Sequence, residues 1–364
     1  MAAAAMTTAS ASIVYTLRGT EFTCDTLFHA MIGPGTSQTS LLMRDASGRQ
    51  MYVRYAITDL SNPYITLSAV MGQDKYAGGE QISAMSKRKS RNGARYFLGV
   101  NGDFFRTSGQ TGRGESIVGA PIGPCIADGQ IYHGCNNVTS WTDFSLDVNK
   151  RPQFGAASFG GTVSAKGTTV AMGQINSEFT CDGVELFTPT YVSSTNLRET
   201  CSEVQAMMPE GESFGIAKPF KLVVTGTPSS DGDMDIPADG YVIRGMGSTL
   251  NFVSGLQPGD TVTFDIRVYM DGNEVVPQTM ISSIPKILGN GQILDTEGYM
   301  SQFSTQQPLT VMGFDQTGTK IYYAQIDGRS PISSGMRTSE GAEFLRILGA
   351  WEGLNFDSGG SSTL

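Results

Sequence analysis

A β-rich α+β fold, a mixed sheet with a few flanking helices, is what this 364-residue chain predicts. Three observations lead there. Glycine is abundant at 45 residues, charged residues make up only 16%, and short runs of alternating apolar and polar residues recur between tight turns. Successive side chains of a strand point to opposite faces, so such alternation marks a strand buried on one side. The first runs cover 51–57 and 64–70. A helix is expected over about 80–91, stopped by Gly93, and it leads into ARYFLGV at 94–100. Further strands are expected at 221–225, at TVTFDIRVYM, where Val262, Phe264, Ile266 and Val268 share a face, and at KIYYAQI, 320–326. Ser339 is placed as the N-cap of a second helix that carries Phe344, Leu345 and Leu348 and closes at Gly349, after which AWEGL runs from 350 to 354. Asp-Gly pairs at 128, 182, 271 and 327 supply turns.

No proline-rich linker and no repeat of solenoid period divides the sequence, so residues 14–364 are read as one domain with an elaborated middle. The polar stretch at 229–240 is a flexible loop within it. MAAAAMTTASAS lacks a basic segment and an apolar segment of normal length, so 1–13 reads as a tail or a signal remnant. With 25 basic against 34 acidic residues the net charge is −9, which argues against nucleic acid. No run of about 18 apolar residues is present, so no membrane span is encoded. Five cysteines without a CxxC pair, beside only two histidines, do not suggest zinc. Their spacing allows two local disulfides, Cys125–Cys135 and Cys181–Cys201, with Cys24 left over; five buried thiols are the alternative.

Three of the expected strands end in polar turns. ARYFLGV runs into Asn101-Gly102-Asp103, KIYYAQI into Asp327-Gly328-Arg329, and AWEGL into Asn355-Phe356-Asp357-Ser358-Gly359-Gly360-Ser361-Ser362. Singly, each is an ordinary turn. Together they carry carboxylates and a guanidinium beyond what turn geometry requires, and parallel adjacency of the strands would gather them at one end of a sheet. The amides of Gly359, Gly360 and Ser361 suit phosphate oxygens, so the set points to a phosphorylated or glycosidic substrate. Asp357-Ser358-Gly359-Gly360 also looks like the nucleophile loop of trypsin-like proteases. That reading fails: His29 and His133 lack the surroundings of a catalytic base, and only six residues follow Ser358.

These and other stretches resemble the phosphodiester glycosidase family, which includes N-acetylglucosamine-1-phosphodiester α-N-acetylglucosaminidases. The matching stretches are VNGDFF (100–105), GAPIGPCIADGQI (119–131), NSEFTCDGVELFTPTYVSSTN (176–196) with Glu203, PADGYVIRGMGS (237–248), LQPGDTV (256–262), IDGRSPISSGMRTSEGAEFLRILGA (326–350) and LNFDSGGSSTL (354–364). They follow family order over most of residues 50–364, and the sequence looks similar to bacterial members. The resemblance implies hydrolysis of a sugar 1-phosphodiester to free sugar and phosphomonoester, in a secreted, periplasmic, lumenal or cell-surface setting. It places the polar core on Asn101, Asp103, Asp327, Arg329, Asn355 and Asp357. Three departures stand out: Leu309 where the family usually has arginine, Ser358 for the first glycine of its Gly-Gly-Gly, and a sequence that ends at Leu364 where members generally continue into another strand.

On this reading Asp103, Asp357 and Arg329 are catalytic, and Asn101, Gly102, Asp327, Asn355, Gly359, Gly360, Ser361 and Ser362 bind substrate. Arg329 and the loop amides would hold the phosphate, one of Asp103 and Asp357 would assist its departure, and the other would orient water or face the oxocarbenium charge. No cofactor is assigned; a divalent cation such as calcium bridging Asp103, Asp357 and phosphate is the alternative. The competing function is a glycan-binding or cell-surface protein that keeps the fold without catalysis.

Overall fold

Alternating patterns do become strands in the computed structural model, which describes residues 13–138, 140–196, 200–296 and 301–364. The expected tail lies, up to residue 12, outside them. The described chain separates into two compact units, one built from residues 13–65 with Lys286–Leu364 and the other from Thr66–Pro285.

The first unit opens with β1 (Ile13–Leu17), β2 (Thr20–Gly33), β3 (Thr36–Arg44) and β4 (Gln50–Asp59), each antiparallel to the next. The chain then builds the second unit. It contributes α1 (Ile82–Lys89), β5 (Cys125–Ala127), β6 (Gln130–His133), β7 (Thr142–Asp147), β8 (Pro152–Gly155), β9 (Ala157–Ala165), β10 (Thr168–Ile175), β11 (Val184–Phe187), β12 (Ser202–Met207), β13 (Phe220–Val224), β14 (Gly240–Gly245), α2 (Leu250–Ser254), β15 (Thr261–Met270), β16 (Asn273–Val275) and β17 (Pro277–Ser283). Back in the first unit come β18 (Lys286–Gly289), β19 (Gln292–Ile293), β20 (Leu309–Phe314), β21 (Lys320–Ile326), α3 (Thr338–Leu348) and β22 (Glu352–Asn355).

In the first unit the strands form one sheet in the order β1-β2-β3-β4-β21-β20-β22-β18-β19, antiparallel throughout. The apolar face of α3 buries Ala342, Phe344 and Leu345 in a cluster with Leu17, Val53, Leu309, Val311 and Ala324. The N-cap of α3 is Arg337, not Ser339: the Glu340 carboxylate accepts from the Arg337 amide at 2.8 Å, which caps the helix one turn back. Its C-terminus is Gly349 as expected, in the left-handed region at φ 113°.

In the second unit β13, β12, β14, β11, β10, β9 and β15 close into a seven-stranded barrel through the β13–β15 pairing, where Phe220 lies opposite Phe264; β16 lies beside β15. Closure removes the exposed edges of an open sheet. Val163, Leu186, Val204, Leu222, Ile243, Phe264 and Ile266 are buried in one cluster. Among the described strands only β10 and β11 pair in parallel. A second sheet has the order β6-β5-β17-β7-β8, and the 229–240 loop connects β13 to β14.

Two expected strands are absent. ARYFLGV is irregular because its polar backbone is satisfied by the end of α1: Tyr96 donates to the Ser90 hydroxyl at 3.0 Å and its carbonyl accepts from Ser86. Residues 64–70 likewise form no ladder; the amides of Tyr64 and Ile65 turn back to the side chain and carbonyl of Asn62. The disulfides are absent as well. All five cysteines are free. Cys125 lies opposite His133 across the β5–β6 hairpin, and its sulfur is 3.2 Å from that of Met71. Burial pushes all five thiols above their ordinary range, which disfavours the reactive thiolate.

A buried charge cluster lies on the face of β11, β12 and β14 turned away from the barrel core, to which Val184, Leu186, Val204 and Ile243 point. Glu185 on β11 and Glu203 on β12 both lie directly opposite Arg244 on β14. Arg244 donates to Glu185 at 3.0 Å, to Glu203 at 2.8 Å and to the Thr195 carbonyl at 3.1 Å, and its guanidinium stacks 4.5 Å from the Phe187 ring. Burial raises the pKa of Glu185 against the pull of Arg244. Replacing the arginine would leave two buried carboxylates without their cation, which costs far more than the intact cluster contributes. Arg244→Met is therefore expected to lower unfolding stability by about 3–5 kcal/mol in urea titration, with a smaller loss when Glu185→Leu and Glu203→Leu accompany it.

Two further buried groups of this unit titrate in opposite senses. Burial lowers His133 from 6.5 to about 4 and raises Asp143 from 3.8 to about 6. Between pH 4 and 6 the unfolded chain protonates His133 while the fold keeps it neutral, so this contribution is lost as pH falls. Over the same range folded Asp143 keeps a proton that the unfolded chain releases, so its contribution is lost as pH rises. Each slope is about 1.4 kcal/mol per pH unit, and the two nearly cancel. Measured by denaturant titration between pH 4 and 6, Asp143→Asn should make stability rise with pH more steeply than wild type, and His133→Asn should make it fall.

Candidate active site

Two of the three polar turns meet at the head of β20. After β21 the chain crosses through α3 and returns as β22 on the far side of β20, so β21 and β22 run in the same direction with β20 antiparallel between them. They are not neighbours, as adjacency would have required. The register nevertheless aligns their ends: Ile326 faces Leu309 and Asn355 faces Val311. Asp327 and Asp357 thus leave the sheet at its same end, where Pro308 directly precedes the central strand. The Gly359 amide donates to the Pro308 carbonyl at 3.0 Å. A β-carbon on Gly328 would come within 2.6 Å of the Pro308 nitrogen, so that turn admits glycine alone. Tyr52, Pro308, Gln325, Asp327, Ser333, Gly359 and Ser362 are among the walls of a cavity of about 270 Å³.

Of the charged groups at this end of the sheet Asp327 lines the cavity, whereas Arg329 and Asp357 are not among its walls, and the three differ in their compensation. Asp327 is neutralised by Arg54, whose Nη1 reaches both carboxylate oxygens at 3.1–3.2 Å, and it also accepts from Gln325 at 2.8 Å. Arg329 forms no ion pair among the described residues; its guanidinium donates to the neutral Gln307 at 3.2 Å and lies against Gly359. Its backbone sits at φ 57°, a left-handed conformation that costs a non-glycine residue of order 1 kcal/mol. The Ser330–Met336 loop that follows is tied down by Ser333, which donates to the Asp327 carbonyl at 2.6 Å, and by Arg49, which bridges Glu340 at 2.6 Å and the Gly335 carbonyl at 2.8 Å. Asp357 is half-buried. Burial raises its pKa, opposed by bonds from the Ser361 hydroxyl and the Ser358 amide.

Of the remaining expected residues, Asn355 is fully buried, with its amide on the Phe356 carbonyl at 2.8 Å and its oxygen accepting from Ser358 at 3.1 Å. It shapes the loop and does not line the cavity. Gly359 was expected to offer its amide to phosphate, but Pro308 takes it. Gly360 and Ser361 form the next turn. Ser358 is extended, at φ −116° and ψ −170°, so a side chain there is unstrained; the left-handed angle falls on Gly359 at φ 69°. Leu309 is fully buried against α3, where Gly341 makes room for it, so this position faces the core and not a phosphate.

Asn101, Gly102 and Asp103 belong to the second unit. Asp103 accepts from the Gly123 amide at 3.1 Å, extending a short antiparallel contact in which Phe105 lies opposite Pro121. A β-carbon on Gly102 would meet Ile281 at 2.0 Å. His133 is buried and neutral, consistent with the rejection of a protease triad. Among the described residues no three His, Cys, Asp or Glu side chains are grouped as metal ligands.

Sequence reasoning missed Tyr52, Arg54, Gln307, Pro308 and Gln325. The signal was present in part. Alternation in MYVRYAIT places Tyr52 and Arg54 on the face opposite Met51 and Val53, but that Arg54 pairs with Gln325 is a matter of strand order.

Residues 220–364 match the phosphodiester glycosidase family. This segment includes the turns at 327–329 and 355–362. No curated protein matches the chain. Among solved structures, a hypothetical protein from Synechocystis superposes with a TM-score of 0.66 at 18% identity, over 90% of this chain and 57% of that one. The chain thus spans little more than half of that relative. The "Putative exported protein" of Burkholderia pseudomallei K96243 superposes with a TM-score of 0.70 at 15% identity, over 97% of this chain and 93% of that one. The zebrafish N-acetylglucosamine-1-phosphodiester α-N-acetylglucosaminidase catalytic domain, auto-inhibited by its pro-peptide, aligns at 13% identity over 93% of this chain and 77% of that one, with a TM-score of 0.41. These likenesses concern the fold, and the likeness to the phosphodiester glycosidase family rests on the sequence match over residues 220–364.

Proposed function

We propose that the protein hydrolyses a sugar 1-phosphodiester, releasing the free sugar and a phosphomonoester. The observation that carries this reading is the family match over 220–364, which contains Arg329, Asp327, Asp357 and the glycine loop in one compact unit. Arg329, which has no carboxylate partner among the described residues, binds the diester phosphate, assisted by the amides of Gly360 and Ser361. Water adds to the anomeric carbon, the bond from that carbon to the phosphate oxygen breaks, and the electron pair leaves with the phosphate. Burial favours the protonated form of Asp357, which suits it to give its proton to the departing oxygen. The proton lost by the adding water goes to solvent, and Asp103 is the further carboxylate that the resemblance to the family assigns to the reaction. A phosphate monoester leaves readily, so a modest acid is enough and no histidine is needed. The reading gives no step to a metal ion.

A setting outside the cytoplasm goes with this proposal. It is supported by the exported description of the Burkholderia relative, while the free cysteines remove disulfides as an argument for it. No helix of the described chain is long and apolar enough to cross a membrane.

The test is release of free sugar from an N-acetylglucosamine 1-phosphodiester. Asp357→Asn should lower kcat by about 10²-fold or more, and Arg329→Gln should chiefly raise KM. Because Asp357 acts in its protonated form, kcat of the wild type should fall as pH rises through that group's pKa, and Asp357→Asn should abolish this limb. Tight binding of the diester without turnover by wild type would instead favour the glycan-binding alternative.

A further inference from the structure

Gly123 is held at both of its backbone polar atoms. Its N–H donates to Asp103 Oδ2 at 3.1 Å, and its carbonyl oxygen lies 2.9 Å from His133 Nδ1. A carbonyl only accepts, so Nδ1 carries the proton, and Nε2 of the neutral ring is an acceptor. That Nε2 is buried and has no partner among the described residues. The imidazole is therefore committed to a single hydrogen bond, the one to Gly123. Its plane is fixed by an edge-to-face contact with Tyr76, ring centres 5.5 Å apart.

Residue 123 has no room for a side chain. A β-carbon would fall 2.4 Å from that of Ser282 and 3.2 Å from the Trp141 ring. Glycine fits the slot but is the residue whose backbone turns most freely, so its orientation needs external restraint. His133 supplies that restraint on one side, and Asp103 receives its result on the other.

We propose that His133 is a positioning residue for Asp103, fixing through Gly123 the amide that holds Oδ2 of the Asp103 carboxylate. The inference rests on the reading above only in taking Asp103 to participate in hydrolysis; the relay itself is a matter of hydrogen bonding. Without the Nδ1 donor the Gly123 carbonyl is left buried and unsatisfied, the peptide turns to find another partner, and the amide leaves Asp103. An amide donated to a carboxylate favours its ionised form, so its loss raises the pKa of Asp103.

The experiment follows the Asp103 carboxyl by ¹³C NMR titration in the full chain, with kcat and KM on the N-acetylglucosamine 1-phosphodiester measured in parallel. His133→Leu is expected to raise the Asp103 pKa and to lower kcat about tenfold with KM little changed. His133→Asn, whose amide nitrogen takes the place of Nδ1, is expected to restore both. His133→Gln, whose amide reaches the Nε2 position instead, is expected to behave like His133→Leu and serves in its place if the leucine variant does not fold. An Asp103 titration identical in wild type and in folded His133→Leu or His133→Gln would overturn the proposal. An inactive wild type would overturn the hydrolase reading alone, since the titration decides the relay without turnover.

Discussion

The hydrogen bond from the Gly359 amide to the Pro308 carbonyl fixes the geometry on which the candidate site depends. Pro308, just before β20, has no N–H of its own, and its carbonyl receives the glycine loop that follows β22. On the other side of β20, Gly328 packs against the Pro308 nitrogen so closely that a β-carbon would clash. The central strand therefore sets the positions of both flanking turns. That is possible because α3 carries the chain from one side of β20 to the other, so β21 and β22 end together although each is antiparallel to the strand between them. The ligand crevice at the carboxyl ends of parallel strands has an equivalent here, with an antiparallel strand inserted.

Around that end, compensation separates the roles of the charges. Asp327 is answered by Arg54 and braced by Gln325, so its business is to hold the wall and the Ser333 loop. Among the described residues Arg329 is answered by no carboxylate, and it is held in a left-handed backbone conformation. A cation kept ready in this way suits an anionic ligand. Asp357, pushed toward its neutral form by burial, suits proton donation. The buried cluster of Arg244 with Glu185 and Glu203 has a different character: it is buried on the face of these strands turned away from the barrel core, against Phe187, and contributes to specifying how β11, β14 and β12 align.

Much of this was legible in the sequence where side-chain periodicity and turn chemistry act locally. The alternation of Val262, Phe264, Ile266 and Val268, the strands at 51–57 and 320–326, and the glycine that ends α3 all follow from rules that need no tertiary information. Apolar content alone misled at 94–100, where serines at the end of α1 take the backbone groups that a strand would have paired. The N-cap moved from Ser339 to Arg337 because Glu340 reaches back to the earlier amide. Leu309 looked like the loss of a phosphate contact until its register on β20 showed it turned toward α3. The partners of Asp327 and Arg329 lie 273 and 22 residues away in sequence, so strand order alone could reveal them.

The central claim is that the head of β20 forms an anion site served by Arg329 and the loop at 360–361. Adding a non-hydrolysable sugar phosphonate to the isotope-labelled chain and following ¹⁵N chemical shifts tests it directly. The account predicts saturable shifts at the Arg329 guanidinium and at the Gly360 and Ser361 amides, lost in Arg329→Gln. Shifts confined to other residues, or binding undiminished in Arg329→Gln, would contradict it.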